Sequence, residues 1–190
     1  MSAQPRPQYH HGDLRAAILA ETARLVADHG ADGVSLRQLA RNAGVSHAAP
    51  AHHFTDRRGV FTALAAEGFS LLADSLKAAR GDFTDAALAY VRFAIDNPGH
   101  YAVMFDRLLV NAADADLMAA QAAAGAELSQ GVASLVDSHA KSDPAAAELA
   151  AWSLVHGFAM LWLNHAVPAD IAAADPMPTV NRIARILFDG

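Results

Sequence analysis

The chain has 190 residues, of which 53% are hydrophobic; it carries a net charge of −6 at pH 7 and contains no cysteine. This length suits one large domain or a small domain joined to a larger one, and the lack of cysteine excludes a disulfide framework and thiolate metal sites. Its apolar runs are far shorter than the roughly 18 residues of a membrane span, and its N-terminus lacks the apolar core of a signal peptide, so we expect a cytoplasmic protein with no membrane partner.

The first predicted element is a helix that follows a short arm. Residues 1–9 contain two prolines and no apolar periodicity, which predicts a flexible arm. From Leu14 to His29 apolar side chains recur at helical spacing, interrupted by Glu21, and Gly30 follows. We therefore expect one amphipathic helix over this stretch.

The segment from Ser35 to Arg58 has the pattern of two short helices joined by a glycine turn. Ser35 and Gln38 form a predicted capping box at the start of the first helix. Gly44 suits the positive φ of a helix end, and Ser46 is placed as the N-cap of the second helix. This is the helix-turn-helix pattern, whose second helix enters the major groove of DNA.

Every later segment has helical periodicity, and none shows the alternation of a β-strand. Thr55 and Asp56 are typical caps for a connecting helix, and Pro98 and Pro144 are placed to open later helices. The helices expected after the helix-turn-helix cover residues 57–79, 84–96, 99–110, 114–140, 144–166 and 177–188.

The predicted fold is therefore all-α, with about nine helices. We expect a three-helix helix-turn-helix domain over residues 10–56, a connecting helix over residues 57–80, and a helical ligand-binding and dimerisation domain over residues 81–190.

Charge is distributed unequally between these parts. Residues 1–60 carry seven arginines against five acidic residues and hold six of the ten histidines, whereas residues 61–190 carry seven basic residues against fifteen acidic ones. This asymmetry favours a DNA-binding head on an acidic body, with an affinity that depends on a few placed phosphate contacts.

Two motifs carry a resemblance to a known family. They consist of Gly44, Val45, Ser46, His53, Phe54, Asp56 and Arg57 in the first part of the chain, and of Trp152, His156 and Gly157 in the second. The first motif, within residues 10–69, resembles the DNA-binding domain of TetR family transcriptional regulators. The second is similar to the Trp-His-Gly signature of one ligand-domain subgroup. The resemblance implies a homodimer paired through its C-terminal helices, a small-molecule pocket in the body, and release of operator DNA on ligand binding.

Ala51 departs from the family pattern. The family most often has a tyrosine there, three residues before the Phe of the His-Phe pair, and its hydroxyl meets a phosphate. Loss of that contact should weaken DNA binding and lower its salt dependence by up to about one released counterion. Pro50 also lies in the recognition helix, where proline is tolerated only in the first turn.

Helix N-termini and basic side chains supply the candidate DNA contacts. The Ser35 and Ser46 hydroxyls suit phosphate oxygens or act simply as caps, and Arg37 can reach guanine or remain solvated. By the resemblance Arg57 contacts a phosphate, while His53 is expected to pack beside Phe54. The candidates are Ser35, Arg37, Ser46, His47, His52, His53 and Arg57, with Arg6, His10, His11 and Arg15 of the arm as a group that either follows the groove or makes no contact.

The candidate ligand residues form aromatic and apolar stripes at helical spacing, together with one polar group, His156. Such a wall is typical of a small-molecule pocket, although stripes of this kind are also common in plain cores. The acidic body favours a neutral or cationic ligand over an anionic one, and we expect an apolar effector. The candidates are Tyr101, Met104, Phe105, Leu108, Met118, Trp152, His156, Met160 and Leu163.

The last predicted helix has an apolar stripe that either covers the chain's own core or pairs with a second copy. A two-fold dimer would place its recognition helices about 34–36 Å apart, one turn of DNA. The candidate interface residues are Trp162, His165, Val180, Ile183, Ala184 and Leu187, with Leu161 and Phe188 beside them.

Motifs of hydrolases, nucleotide-binding proteins and metalloenzymes are missing from the sequence, so we expect no enzyme, no cofactor and no metal site. The leading hypothesis is a repressor that a small molecule releases from its operator. A second is a helical small-molecule binding protein with weakened or lost DNA recognition, and a third is a regulator that senses metal or pH through histidines.

Overall fold

The computed structural model describes residues 11–46, 48–79, 82–134 and 141–188. Within them it has ten α-helices, one 3-10 turn (Ala31–Gly33) and no β-strand, which confirms the all-α class. The helices are α1 (His11–His29), α2 (Leu36–Asn42), α3 (Ala49–Phe54), α4 (Arg57–Ala78), α5 (Phe83–Asp96), α6 (Pro98–Met104), α7 (Ala115–Ala133), α8 (Pro144–Leu163), α9 (Ala169–Ala172) and α10 (Pro176–Phe188).

Side-chain caps begin several helices where the sequence places them. The carboxylate of Asp56 accepts a hydrogen bond from Gly59 N at 2.7 Å at the start of α4. Asp143 accepts from Ala146 N at 3.1 Å at the start of α8. These bonds satisfy backbone N–H groups that have no partner inside the helix.

Three predicted helix ends were wrong, and local side-chain bonds compete with helical ones at such positions. The helix expected to reach residue 140 ends at Ala133, where the Ser134 hydroxyl donates to the Gly131 carbonyl at 2.6 Å. The helix expected to reach residue 110 ends at Met104, after which the Asp106 carboxylate accepts from Leu108 N at 2.9 Å. The helix expected to reach residue 166 ends at Leu163, two residues before His165, whose φ is +53°. The short helix α9 was not predicted.

Glu21, which interrupts the apolar face of α1, links two helices of the N-terminal part. Its carboxylate accepts from Arg24 at 2.7 Å and from Asn42 Nδ2 at 2.6 Å, so that α1 is tied to the end of α2. The hydrogen bond from Arg24 is the main cause that lowers the pKa of Glu21. The polar interruption is therefore a contact between helices.

Helix α4 joins the two parts of the molecule. It packs against α1 and α3 on the N-terminal side and against α5, α6 and α7 in the body. Side chains along its whole length are buried, from Val60 and Phe61 near its start to Leu72 and Leu76 near its end. One continuous core thus runs from the helix-turn-helix into the body.

Helix α6 approaches α1 very closely at Gly99. A Cβ atom at this position would clash with the backbone carbonyl of Ala23. Only glycine therefore allows α6 to lie against α1 at this distance.

The apolar stripe of α10 lies mainly against the chain's own body, where α10 packs on α5. Val180 and Ala184 are each 1% exposed, so their assignment to a dimer interface was wrong. The sequence left open whether the stripe faced the core or a partner, and packing on α5 explains these two positions. Ile183 is half-buried, and the Leu187 side chain lies outside the described residues.

In the described part of the chain, α4 and α8 are long and apolar enough, by length and composition, to cross a membrane. The uninterrupted apolar runs of the sequence did not indicate either of these two helices as a candidate span. Buried core helices of soluble proteins pass the same test, and the apolar window of α4 is 56% buried within the chain. The corresponding window of α8 is only 28% buried, which leaves much of this apolar helix on the surface.

We expect Gly99→Ala to lower the free energy of unfolding by about 2 kcal/mol, because the added methyl group forces α6 away from α1. Gly125→Ala is the matched control, since a Cβ there meets no atom within 4 Å. Chemical denaturation of both variants measures the difference. Equal stability of the two would contradict the close packing at Gly99.

Candidate functional site

The turn between α2 and α3 has the geometry of a helix-turn-helix. Ser35 caps α2 by accepting from Gln38 N at 3.3 Å. Gly44 has a φ of +67°, the conformation for which the sequence predicted glycine. Pro50 is buried in the first turn of α3, where its missing N–H has no intrahelical partner to lose.

Ser46 does not cap the second helix as predicted. Helix α3 begins at Ala49 with Ala48 in the cap position, and no side chain accepts a hydrogen bond there. The backbone oxygen of Ser46 accepts from Ala49 N at 3.0 Å, so a backbone turn takes the place of the side-chain cap. Ser46 itself is exposed.

Two faces of the helix-turn-helix carry the remaining DNA candidates. Arg37 on α2 and His52 on α3 are exposed, as is Ala51. His53 is half-buried, with its ring 6.2 Å from that of Phe54, close to its expected packing role. His47, Arg6 and His10 lie outside the described residues, as does the side chain of His11.

Arg57 holds the helix-turn-helix to the start of α4. Its guanidinium donates to the carbonyl oxygens of Ala31 at 2.6 Å and Val34 at 2.9 Å, and it stacks 4.8 Å from the centre of the Phe61 ring. Two of its donors are thus used within the protein. The sequence resemblance implied a phosphate contact for Arg57 and gave no sign of these hydrogen bonds within the protein.

Arg15 of α1 is exposed, and its guanidinium lies 5.5 Å from the ring centre of Phe54. This cation–π contact ties α1 to the last residue of α3. Arg41 on α2 is exposed and was not among the sequence candidates, although its place one helical turn after Arg37 is readable from the sequence.

The body contains two adjoining cavities of about 410 Å³ and 460 Å³. Phe105, Gln121 and Trp152 line both and form the wall between them. The first cavity lies among α4, α5, α7 and α8 and is mainly apolar, while the second is also lined by Met104 and His156. Volumes of this size suit a small organic molecule.

Four polar side chains meet at these cavities in one hydrogen-bonded cluster. His156 Nδ1 lies 2.8 Å from the hydroxyl of Tyr101 and 3.1 Å from that of Tyr90. The two hydroxyls are 3.4 Å apart, and Trp152 Nε1 donates to Tyr90 at 3.3 Å. The cluster connects α5, α6 and α8 through contacts distant in sequence.

Burial keeps this cluster uncharged. It lowers the pKa of His156, because the imidazolium form would lose solvation. It raises the pKa of both Tyr90 and Tyr101 for the same reason, since the phenolate would be desolvated. At neutral pH the cluster therefore offers hydrogen bonds without a formal charge.

The ligand candidates divide into two groups. Met104, Phe105, Trp152 and His156 line the cavities, and Tyr101 lines neither but is the hydrogen-bond partner of His156. The others line neither cavity; they are Leu108 (91% exposed), Met118 (55%), Met160 (41%) and the half-buried Leu163.

Leu108 was placed wrongly because α6 ends before it. Sequence reasoning missed Tyr90, Phe69 and Leu72, which line the first cavity from α5 and α4. Their apolar stripes were visible in the sequence, but nothing local indicates which buried side chains border a void.

The loop after Phe105 connects the cavities to α4. Arg58 donates to the Val110 carbonyl at 2.7 Å, and Asn111 N donates to Thr62 Oγ1 at 2.9 Å. Both contacts lie in the first two turns of α4, directly after α3. A displacement of this loop therefore acts on the helix that follows the recognition helix.

A second contact joins α4 to α6. His100 Nε2 lies 3.1 Å from the carboxylate of Glu67. Because α6 also carries Tyr101 of the polar cluster, it connects this cluster to α1 and to α4, on which it packs.

The end of α8 exposes several apolar and aromatic side chains. Met160 and Leu161 are 41% and 51% exposed, and Ile186 of α10 is 72% exposed. Trp162 is half-buried and stacks on Phe158 with ring centres 6.0 Å apart. His165 is exposed beyond the helix end.

No group of three or more His, Cys, Asp or Glu side chains among the described residues is arranged to hold a metal ion.

Two family models match the chain. Residues 18–64 match the family described as bacterial regulatory proteins, tetR family. Residues 83–186 match the tetracyclin repressor-like C-terminal domain. The assignment to the Trp-His-Gly subgroup is tested by neither match and stays a prediction.

Curated relatives are similar over part of their length. An HTH-type transcriptional regulator of Mycobacterium tuberculosis is 33% identical over 101 residues, which cover 48% of this chain and 43% of the relative. The HTH-type transcriptional repressor AcnR of Corynebacterium diphtheriae is 38% identical over 60 residues, 32% of each chain. The matched region is thus less than half of the relatives' length.

Solved structures are similar over nearly the whole chain. A Rhodococcus sp. RHA1 protein of unknown function is 33% identical with a TM-score of 0.68, covering 93% of this chain and 98% of that one. The TetR family regulator PfmR of Thermus thermophilus has a TM-score of 0.68 at 16% identity, covering 91% and 97%. The second likeness shows the fold alone.

We expect the stability of the protein to fall as the pH is lowered from about 7 to about 5, partly through His156. Because burial lowers its pKa in the folded state, the unfolded chain binds more protons in this range, and stability rises with pH. His156→Gln removes this titration. Thermal unfolding midpoints across the range should fall less steeply in the variant than in the wild type.

The nine remaining histidines are present in both proteins, so the difference between the two pH profiles isolates His156. Parallel profiles would contradict the burial of an uncharged imidazole in the cluster. Replacing the exposed His165 with Gln provides the control for the loss of one histidine side chain.

Proposed function

Because the chain belongs to the TetR family of bacterial transcriptional regulators, we propose that it is a homodimeric, cytoplasmic repressor released from operator DNA by a small molecule. The observation that carries this proposal is the contact path from the cavities, through the loop after Phe105, to the first turns of α4. It joins a ligand-sized space to the helix that follows the recognition helix.

The proposed DNA contacts come from the exposed face of α2 and α3. Arg37 reaches the major groove or its edge, His52 donates from α3, and the N-terminus of α2 at Ser35 binds a phosphate. Arg57 supports this surface by fixing α4 to the carbonyls of the 3-10 turn. Few phosphates are contacted, since Ala51 provides no hydroxyl.

The proposed dimer uses the apolar surface of α8 together with the exposed side of α10. The apolar window of α8 is 28% buried in the single chain, and Met160, Leu161 and Ile186 are exposed nearby. Burial of this surface against a second copy would remove a large apolar patch from water. Trp162, His165 and Ile183 remain proposed members of this interface.

The proposed mechanism is a shift between two conformers. A ligand beside Phe105 displaces the loop whose Val110 and Asn111 hold Arg58 and Thr62, and α4 moves with it. The two recognition helices of the dimer then no longer fit successive major grooves. The ligand shifts the population only by its greater affinity for the released conformer.

DNA binding tests the proposal. Fluorescence anisotropy with DNA from the protein's own promoter region should show affinity that falls steeply with salt and exceeds the affinity for unrelated DNA. Equal binding to both DNAs, or no binding by the dimer, would refute a sequence-reading regulator. It would favour the second candidate, a helical small-molecule binding protein, which the missing phosphate contact at Ala51 supports.

We expect Arg37→Ala to weaken operator binding by about tenfold or more, because it removes a groove contact from α2. Arg92→Ala is the matched control, since Arg92 is also exposed but lies on α5 in the body. Anisotropy titrations at one fixed salt concentration compare the two. Equal losses of operator affinity in the two variants would show that the net charge of the protein, and not a contact from Arg37, determines DNA binding.

We expect Ala51→Tyr to raise operator affinity severalfold and to steepen the dependence of log K on log salt by up to about one unit, through a restored phosphate contact. Ala51→Phe supplies the ring without the hydroxyl and controls for stacking alone. If the Phe and Tyr variants have the same operator affinity and the same salt dependence, no phosphate contact forms at this position.

A further inference from the structure

The first cavity has a wall that is unusually rich in aromatic rings. Phe69, Tyr90, Phe105 and Trp152 all line it, and the ring of Phe105 lies 5.4 Å from that of Phe69 and 6.2 Å from that of Trp152. Most of the remaining lining is aliphatic. A ligand in this space is therefore held mainly by apolar and aromatic surface.

A single formally charged side chain borders this cavity among the described residues, and it is acidic. Glu148 lies one helical turn before Trp152 on the same face of α8. It forms no salt bridge with any residue that the structure describes. The carboxylate thus lies one helical turn from the Trp152 indole, and no cation of the described part of the chain forms an ion pair with it.

No positive charge arises from the neighbouring polar cluster either. Burial lowers the pKa of His156, so its imidazole is neutral at physiological pH, and Tyr90 presents a neutral hydroxyl. A basic residue, Arg107, lines the second cavity but not the first. Glu148 is consequently the one formally charged side chain among the described residues that line the first cavity.

We propose that the effector is a lipophilic organic cation that places its charge between Glu148 and the Trp152 ring. This inference rests on the proposed function, in which the cavity is the effector site. Aromatic faces attract cations through their quadrupole, and the attraction grows when the pair is desolvated. The carboxylate adds a coulombic attraction that a neutral ligand lacks and an anion would meet as repulsion.

Tetraphenylphosphonium and tetraphenylborate test this proposal, because they have nearly the same shape and opposite charge. Isothermal titration calorimetry with the full-length dimer should show at least tenfold tighter binding of the phosphonium. Phenyltrimethylammonium and tert-butylbenzene repeat the comparison of a cation with a neutral molecule of the same shape. Equal or stronger binding of the anion or the neutral molecule, or no binding of either cation, overturns the proposal.

Glu148→Gln should weaken phosphonium binding roughly tenfold while leaving tert-butylbenzene binding unchanged, since only the charge is removed. Asp74→Asn is the control for net charge: Asp74 is exposed on α4 and lines neither cavity. Loss of cation affinity in both variants would mean that the overall negative charge, not Glu148, attracts the ligand.

Operator binding without ligand is measured separately on the same wild-type preparation. A protein that binds its operator but prefers the anion or the neutral probe refutes only the effector class. If the protein binds the phosphonium but no operator, the cation site is supported and the proposed function as a regulator is refuted. The two proposals can therefore fail independently.

Discussion

The structure depends on the burial of one long helix shared by both parts of the molecule. Phe61 and Leu64 of α4 are fully buried near the helix-turn-helix, and Leu72 and Leu76 are buried farther along in the body. Because protein cores are close-packed, such a helix cannot shift at one end without disturbing its neighbours at the other. This makes α4 suitable for carrying information between a cavity and a DNA-binding surface.

The two ends of α4 are held by different chemistry. Near its start, Arg57 and Arg58 donate to backbone carbonyls on opposite sides, one toward the 3-10 turn and one toward the loop after α6. Farther along, packing against α7 and the aromatic side chain of Phe105 dominates. Directional hydrogen bonds can be exchanged at small cost when a loop moves, whereas the apolar packing resists displacement.

Local chemistry made much of the fold predictable from the sequence. Ser35 and Asp56 cap helices as their positions indicate, and Gly44 adopts positive φ. Prediction failed where a competing interaction is not visible in the local pattern. A backbone turn replaces the Ser46 cap, and Asp106 ends a helix early.

The candidate site was only partly predictable for a related reason. His156, Trp152 and Tyr101 stand out by residue type, but Tyr90 becomes their partner only through packing of α5 on α8. Likewise, a stripe such as that of Val180 indicates burial without indicating what it is buried against. Periodicity defines a face, and the tertiary arrangement decides its partner.

The contact of two tyrosine hydroxyls with one histidine nitrogen restricts the chemistry left for a ligand. Neutral imidazole with Nδ1 as acceptor has one lone pair there, so one hydroxyl donates to it and the other donates to the first hydroxyl. Both hydroxyl hydrogens are then consumed inside the triangle, and the Trp152 N–H is used on Tyr90. The donor that remains in this tautomer is the Nε2–H of His156, whereas in the other tautomer Nδ1–H donates to a hydroxyl and leaves one tyrosine O–H free; the tautomer therefore determines which atom can donate to an oxygen of a ligand.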